Sequence, residues 1–189
     1  MPQSRRRSLC TSVRAIRHRQ HRRCGRGPDL ADPRVVTRIL LRPAVGSDAD
    51  FLFSMASNPD VVRWVGDGNP WNRDYFDERF SRALSAKDAR TPDVQRWFIG
   101  TNDDRHPVGL LSLIRRSDHF EVGYWVDPDQ WGRGYAGELI ALAQDHTDGL
   151  PMAAQVHRAN SASRRVLERA GFKLVDDGDP MTFRSPPRQ

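Results

Sequence analysis

The order of strand-like and helix-like runs constrains the fold of this chain more than any other feature of its sequence. Three apolar runs, at 95–100, 108–114 and 120–126, are separated only by short polar turns. Connections this short can join antiparallel strands but cannot join parallel ones. The middle of the chain is therefore predicted to form an antiparallel sheet.

After residue 127 the pattern changes to strands that alternate with helices. Apolar residues recur at helical spacing over 136–143, a short apolar strand follows at 152–156, and another helix is predicted over 161–170. This order needs at least one parallel connection. The sequence therefore predicts an α/β (α+β) domain with a mixed, mostly antiparallel sheet of about six to seven strands and helices on both faces.

The part of the chain before this sheet is predicted to hold one strand and two helices. The strand covers 36–42, and the helices cover about 47–55 and 76–84. Between the helices lies a loop at 65–70 that is rich in glycine, asparagine and proline, as turns are.

An uneven distribution of charge separates an N-terminal extension from the domain. The chain has 30 Lys and Arg against 24 Asp and Glu, yet residues 1–28 hold nine arginines and no acidic residue. This segment has no periodic apolar face, so it cannot offset the entropy cost of becoming ordered. We predict a disordered Arg-rich extension at 1–33, a domain at 34–185 and a short tail at 186–189.

The Arg-rich extension allows several interpretations. It could contact nucleic acid or the ribosome weakly through phosphates, serve as an organelle transit peptide, or be a solvated segment without function. The last interpretation is favoured. His18, His21 and Cys24 have metal-ligand spacing, but they lack a fourth ligand and a folded frame, so no metal is predicted. No apolar run is long enough for a membrane span, and a cytoplasmic monomer or homodimer is expected.

The segment with the most chemical information is Trp131-Gly132-Arg133-Gly134-Tyr135-Ala136, between a predicted strand and a predicted helix. N–H groups at a helix N-terminus are unpaired and carry partial positive charge. Glycine lets the backbone approach an anion closely. These properties predict a phosphate-binding loop, with a turn that only shapes the connection as the alternative. The spacing matches neither the Walker loop nor the dinucleotide fingerprint.

Three more segments make this pattern specific. They are Ile39-Leu40-Leu41-Arg42-Pro43, Glu121-Val122-Gly123-Tyr124-Trp125-Val126, and Asn160-x-x-Ser163 with the Arg-Val-Leu-Glu-Arg-Ala-Gly-Phe run that ends at Phe172. With the glycine motif they resemble the GNAT superfamily of acetyl-coenzyme A-dependent N-acetyltransferases over about residues 35–184. The chain looks most like the branch of ribosomal-protein N-terminal acetyltransferases named RimJ and RimL.

The resemblance implies acetyl-CoA as cosubstrate and no metal. Backbone amides of the glycine motif would bind the pyrophosphate, and Arg133 would either pair with a phosphate or remain a surface arginine. The end of the central strand would pair with the pantetheine amides across a V-shaped slot, and Asn160 would bond the cofactor arm or only cap its helix. The implied cofactor-binding residues are Trp125, Val126, Trp131, Gly132, Arg133, Gly134, Tyr135, Ala136, Asn160 and Ser163.

The implied reaction is attack of an amine on a thioester. The amine must lose a proton, the carbonyl oxygen must be stabilised, and the departing thiolate needs a hydrogen-bond or proton donor. Glu121 is the predicted base and His119 its alternative, since the ordinary pKa of histidine lies near neutrality. A backbone N–H near Val126 would stabilise the oxygen, and by resemblance Ser163 would donate the proton or orient the sulfur. Each side chain also has an ordinary structural interpretation.

The acceptor is predicted to lie against the 65–71 loop and the helix after it. Asp67 would meet a cationic amine, and Trp64, Trp71 and Tyr75 would supply an apolar or cation–π surface. The predicted acceptor is a primary amine, such as a protein N-terminal α-amine. A polyamine, aminoglycoside or metabolite amine is the alternative within the enzyme class. A non-catalytic acyl-CoA-binding regulatory module is the alternative outside it.

Overall fold

The computed structural model describes residues 39–86 and 91–187 of the chain. The extension predicted at 1–33 lies outside these residues, as do residues 188 and 189 of the predicted tail. One seven-stranded sheet runs through the described part of the chain. Its strands are β1 Leu40–Pro43, β2 Gln95–Thr101, β3 Pro107–Arg115, β4 Phe120–Val126, β5 Met152–Val156, β6 Lys173–Asp176 and β7 Met181–Arg184.

The sheet has the order β1-β2-β3-β4-β5-β7-β6. Every neighbouring pair is antiparallel except β4 and β5, which are parallel. Because a parallel pair needs a crossover, a helix lies between β4 and β5 along the chain. The predicted mixed, mostly antiparallel sheet is confirmed.

Five α-helices accompany the sheet within the described ranges. One of them was not predicted: the sequence Asn58-Pro59 was interpreted as the stop of the preceding helix. The Asn58 side chain instead accepts a hydrogen bond from the Asp60 N–H, and Pro59 occupies the first helical position, so the pair starts a new turn. The helices are α1 Ala49–Ala56, α2 Pro59–Val62, α3 Arg73–Ser85, α4 Tyr135–Ala143 and α5 Ser161–Arg169.

The helices cover both faces of the sheet, as predicted. Helices α1 and α3 bury Leu52, Phe76 and Phe80 against Trp97 and Ile99 of β2. A second core lies on the opposite face, where the buried members include Leu111, Val122, Leu139, Ile140, Leu167 and Phe172. Side chains alternate along a strand, so β2, β3 and β4 contribute to both cores, whereas β5 and β7 contribute buried residues to the second one. We call the two sides the α1–α3 face and the α4–α5 face.

Within the described ranges, no helix combines the length and the apolar character that crossing a membrane would require.

Candidate active site

A slot opens between β4 and β5 because the two strands pair only where they begin. Phe120 is opposite Met152 and Glu121 is opposite Ala153, and no further pair joins these strands. Beyond this point β4 continues along β3, and β5 continues along β7. The predicted V-shaped slot is therefore present, closed at Glu121 and open toward Val126.

The hydrogen-bond pattern of β4 shows which backbone groups face this slot. The Asp127 N–H donates to the Val108 carbonyl at 2.9 Å. Asp127 directly follows Val126, and Val108 directly precedes Gly109, the residue opposite Val126 on β3. Val126 is therefore in a non-hydrogen-bonded position relative to β3, and such positions alternate along the strand. The N–H and carbonyl groups of Val126 and Tyr124 consequently point away from β3, into the slot.

Trp125 and Val126 were both predicted to pair with a pantetheine arm, and this pattern leaves a backbone group for that pairing on Val126 but not on Trp125. The backbone groups of Trp125 point toward Leu110 on β3. The carbonyl of Val126 accepts a hydrogen bond from the Trp131 indole nitrogen at 2.7 Å. The Val126 N–H and both backbone groups of Tyr124 are left for an extended ligand in the slot.

The glycine motif has the form of an anion-binding loop. Gly132 and Gly134 have φ values of +78° and +87°, which glycine adopts without strain, and α4 starts at Tyr135. No described residue accepts a hydrogen bond from the N–H groups of residues 132–136. Arg133 is exposed beside this loop. These free donors at a helix N-terminus fit a diphosphate.

Helix α5 begins on the other wall of the slot. The Asn160 side-chain oxygen accepts from the Ser163 N–H at 3.1 Å, so Asn160 caps the helix. The Ser163 hydroxyl is 2.8 Å from the Tyr124 hydroxyl, and either group can be the donor. Burial raises the pKa of Tyr124, and the weaker opposing effect of the Ser163 hydrogen bond does not cancel this shift.

The two predicted bases lie at the closed end of the slot. Glu121 accepts a hydrogen bond from Arg116 Nε at 2.9 Å, and Arg116 also pairs with Asp93. These two carboxylates raise the pKa of Arg116, Glu121 more strongly than Asp93. His119 precedes β4 in a turn, with its Nδ1 2.7 Å from Asp118. The structure thus places Glu121 where β4 and β5 separate, and His119 farther from the opening.

The α1–α3 face of β4 carries Glu121, Gly123 and Trp125, by strand alternation. Gly123 leaves this row without a side chain between the carboxylate and the indole. A Cβ at this position would lie 3.0 Å from the Ser112 hydroxyl. The row therefore has no side chain at the position next to Tyr124, whose backbone faces the slot.

Three of the four predicted acceptor residues pack near the ends of β4 and β5. Trp71 packs edge-on against Trp125 at a ring-centroid distance of 5.2 Å and against Tyr75 at 5.0 Å. Trp64 packs against His157, which directly follows β5, at 6.0 Å. The segment from Trp64 to Trp71, which we call the acceptor loop, thus touches the ends of both diverging strands.

The fourth predicted residue, Asp67, has its charge engaged within the loop. It accepts hydrogen bonds from the side chain and the backbone N–H of Asn69, which lower its pKa. Arginines instead stack on the aromatic rings. Arg63 lies 4.9 Å from the Trp64 ring centroid, and Arg79 lies 5.3 Å from that of Trp71.

Sequence reasoning missed Tyr124, Gly123 and Arg79. Strand alternation could have shown that Tyr124 lies on the face opposite to Glu121. The contact of Arg79 with Trp71 depends on how α3 packs, and no sequence spacing reveals it. Among the residues that the structure describes, no three His, Cys, Asp or Glu side chains cluster closely enough to hold a metal ion.

Comparisons with known proteins agree with this geometry. The model of the family described as the acetyltransferase (GNAT) domain matches residues 38–173. The uncharacterized N-acetyltransferase YoaA of Bacillus subtilis (strain 168) is 28% identical over 148 residues, which cover 72% of this chain and 80% of that protein.

Solved structures share the fold. A spermidine N-acetyltransferase from Vibrio cholerae, crystallised with CoA and spermine, superposes with a TM-score of 0.63 at 20% identity, covering 77% of this chain and 92% of that one. The aminoglycoside acetyltransferase AAC(6')-Ib in complex with coenzyme A gives a TM-score of 0.64 at 16% identity, with coverage of 80% and 96%.

Proposed function

Because this chain belongs to the acetyltransferase (GNAT) domain family and is thus an acetyl-CoA-dependent N-acetyltransferase, we propose that its acceptor is the N-terminal α-amine of a peptide or protein. This proposal includes membership of the RimJ and RimL branch.

One observation carries the choice of acceptor: arginines outside the acceptor loop stack on its aromatic rings and on Tyr75 beside it. Arg63 lies over Trp64, and Arg79 lies over both Trp71 and Tyr75, 5.1 Å from the Tyr75 ring centroid. Two guanidinium groups repel an acceptor that carries several positive charges. Peptide carbonyls accept hydrogen bonds from guanidinium groups, and apolar peptide side chains pack on aromatic rings.

The carboxylates near the opening also fit a single ammonium group. Glu121 lies at the closed end of the slot, on the face that the acceptor loop covers, whereas Asp67 bonds to Asn69 and is exposed. A polyamine or an aminoglycoside carries several amines, whereas Glu121 is the one carboxylate in the row that it forms with Gly123 and Trp125 on this face of β4. The spermidine and aminoglycoside enzymes share the fold of this chain at low identity, and their printed ligands do not outweigh this charge pattern.

The residues divide the reaction between the two faces. Bound acetyl-CoA supplies the thioester. The free N–H groups of residues 132–136 hold the diphosphate, and Tyr124 and Val126 pair with the pantetheine amides like an added strand. The Val126 N–H is the predicted donor to the thioester oxygen. Glu121 takes the proton of the attacking ammonium, directly or through water, and the Ser163 hydroxyl donates to the departing sulfur.

The test is a comparison of acceptors in an assay of free-thiol release from acetyl-CoA. Short peptides with free N-termini are compared with the same peptides bearing a blocked N-terminus and one lysine, with spermidine and with kanamycin. We expect kcat/KM to be at least about 10-fold higher for the free N-termini, which corresponds to about 1.4 kcal/mol of selectivity. Faster turnover of spermidine or kanamycin would contradict the proposed acceptor.

A charge reversal sharpens this test. Arg79→Glu should raise the ratio of spermidine turnover to peptide turnover by about 10-fold, because it replaces a repulsive charge at the acceptor loop with an attractive one. Arg82→Glu is the matched control, since Arg82 lies on the same helix, is exposed and pairs with Glu78. An equal change in both variants would show that only the overall charge matters.

The proposal places the reaction in the cytoplasm, and for the Arg-rich residues 1–28 it tests a weak contact with nucleic acid or the ribosome as the alternative to a solvated segment without function. Counterion release makes such a contact strongly dependent on salt. Deleting residues 1–28 should abolish salt-dependent binding to RNA while leaving the KM for acetyl-CoA unchanged. Salt-dependent binding that survives the deletion would contradict this part of the proposal.

A further inference from the structure

We propose that Tyr124 is a positioning residue for the leaving group: its phenol holds the Ser163 hydroxyl so that Ser163 donates a hydrogen bond to the coenzyme A sulfur as the thioester breaks. This inference rests on the proposed function only in that the chain transfers an acetyl group from acetyl-CoA and that Ser163 faces the sulfur. It does not depend on which amine is the acceptor.

The first support is the place of the hydroxyl pair. Tyr124 belongs to β4 and Ser163 to the first turn of α5, which follows β5. Their hydroxyl oxygens are 2.8 Å apart, so the hydrogen bond connects the two walls of the slot. The backbone of Tyr124 also faces the slot. A single residue therefore lines the path of the pantetheine arm and contacts the serine on the opposite wall.

The second support is the direction of the hydrogen bond. A serine hydroxyl has one proton and two lone pairs, and Tyr124 is the only described group bonded to Ser163 Oγ. If the phenol donates to Ser163, the serine proton remains available for a group in the slot. Tyrosine is the stronger acid of the two, which favours the phenol as donor. Burial raises the pKa of Tyr124, so the phenol keeps its proton across the neutral range.

The third support is the lack of another fixed orientation for the serine. A serine in the first turn of a helix often bonds through its hydroxyl to a nearby backbone group, but among the described residues the Ser163 hydroxyl bonds to the Tyr124 hydroxyl and to no backbone group. Without Tyr124, the hydroxyl of Ser163 could rotate among its staggered positions. With Tyr124, one rotamer is selected before the cofactor binds, which is what an effective hydrogen-bond donor to developing negative charge requires.

Three variants test this assignment: Tyr124→Phe, Ser163→Ala and the double variant. We expect each single change to lower kcat about 10- to 100-fold, the range for a lost hydrogen bond to a charged group, while the KM for acetyl-CoA stays within about twofold. Because both side chains act on one hydrogen bond, the double variant should be no slower than Ser163→Ala alone. Multiplied effects in the double variant would overturn the proposal, as would an unchanged kcat in Tyr124→Phe.

Two controls separate positioning from a general loss of packing. Thr147→Val removes another buried hydroxyl, which bonds to the Gln144 carbonyl away from the slot, and should leave kcat unchanged. Ser163→Thr keeps a hydroxyl at the first-turn position and should retain most of the wild-type kcat, but only when Tyr124 is present. If Tyr124→Phe changed the KM for acetyl-CoA and left kcat constant, the hydrogen bond would be purely structural. That result would also overturn the proposal.

The assay is run with whichever amine the wild-type protein turns over fastest, and again without an amine, where water is the acceptor and thiol release is slow. A wrong acceptor assignment then appears as an unexpected preference in the wild-type protein. A wrong assignment of Tyr124 appears as an unaltered kcat in Tyr124→Phe with that same amine. The two failures are therefore distinguishable.

Discussion

The two ends of β4 differ in how completely their groups are paired. At its start, β4 is bonded to β3 on one side and to β5 on the other, and side chains there form ion pairs, Arg116 with Glu121 and Arg184 with Asp118. At its end, β4 is bonded only to β3, and farther along the chain the N–H groups of residues 132–136 have no described acceptor. The same strand thus stabilises the fold at one end and presents unpaired groups to a ligand at the other.

Unpaired backbone groups cost stability unless water or a ligand satisfies them. Strands that separate must therefore be held together somewhere else, and here the closed end does this. Glu121 lies at the boundary, because it belongs to an ion pair of the closed end and faces the opening. The following predictions test whether the two ends are separate in function.

The largest effect is expected at the open end. Gly134→Val should weaken acetyl-CoA binding at least about 100-fold, equivalent to about 2.7 kcal/mol, because a branched side chain at φ +87° forces the loop N–H groups out of position. Gly149→Val is the matched control, since Gly149 also has a positive φ of +78° in a turn away from the slot. Both variants should lose similar thermal stability. Calorimetric titration measures the affinity, and equal affinities in the two variants would remove the loop from the site.

The second effect is expected at the boundary. Glu121→Gln should lower kcat about 100-fold, the usual contribution of a general base, with little change in thermal stability. Asp93→Asn is the control, since Asp93 pairs with the same Arg116 and lies in the turn before β2 instead of on β4. Steady-state rates are compared at saturating acetyl-CoA. Similar rates in the two variants would assign Glu121 to the closed end alone.

The smallest effect is expected at the closed end. Hydrogen bonds from His119 and Arg184 lower the pKa of Asp118 to about 2. A carboxyl group whose pKa is lower in the folded state stabilises the protein above its unfolded pKa of about 3.9 and loses this contribution as the pH falls toward 2. The urea midpoints of wild type and Asp118→Asn should therefore differ at pH 5 and converge near pH 2.

Asp129→Asn is the control for this measurement. Asp129 is exposed after the open end of β4 and has no ion pair within the described ranges, so the variant reports the general effect of removing one negative charge. If the difference in urea midpoint between wild type and Asp118→Asn stayed constant with pH, the hydrogen bonds to Asp118 would not contribute to stability.

Much of the fold could be predicted because local patterns agree with the tertiary structure. The limits of β4 and β5 were predicted to the residue, since alternating apolar runs bounded by turns leave little choice of register. The short helix at Pro59–Val62 was missed because Asn-Pro ends one helix as readily as it starts another. The sequence contains the cap but does not say which of the two it serves.

The candidate site was less predictable than the fold. The glycine loop is contiguous in sequence, so its form followed from local rules. Contacts between distant segments did not: the bond from Tyr124 to Ser163 spans 39 positions, and the indole of Trp131 reaches the Val126 carbonyl only because a short turn folds the chain back. Such pairs arise from packing of helices on the sheet, which spacing alone does not reveal.

The acceptor loop rests on the ends of both strands from one side of the sheet, whereas the glycine motif and α5 approach from the other. With the roles proposed above, donor and acceptor recognition would be encoded in separate stretches of the chain, with only the strand ends in common. Replacing the stretch from Trp64 to Trp71, while keeping its two indole anchors, would redesign selectivity toward the amine without rebuilding the nucleotide half. A modular layout of this kind allows one scaffold to diversify its substrates through small changes in one loop.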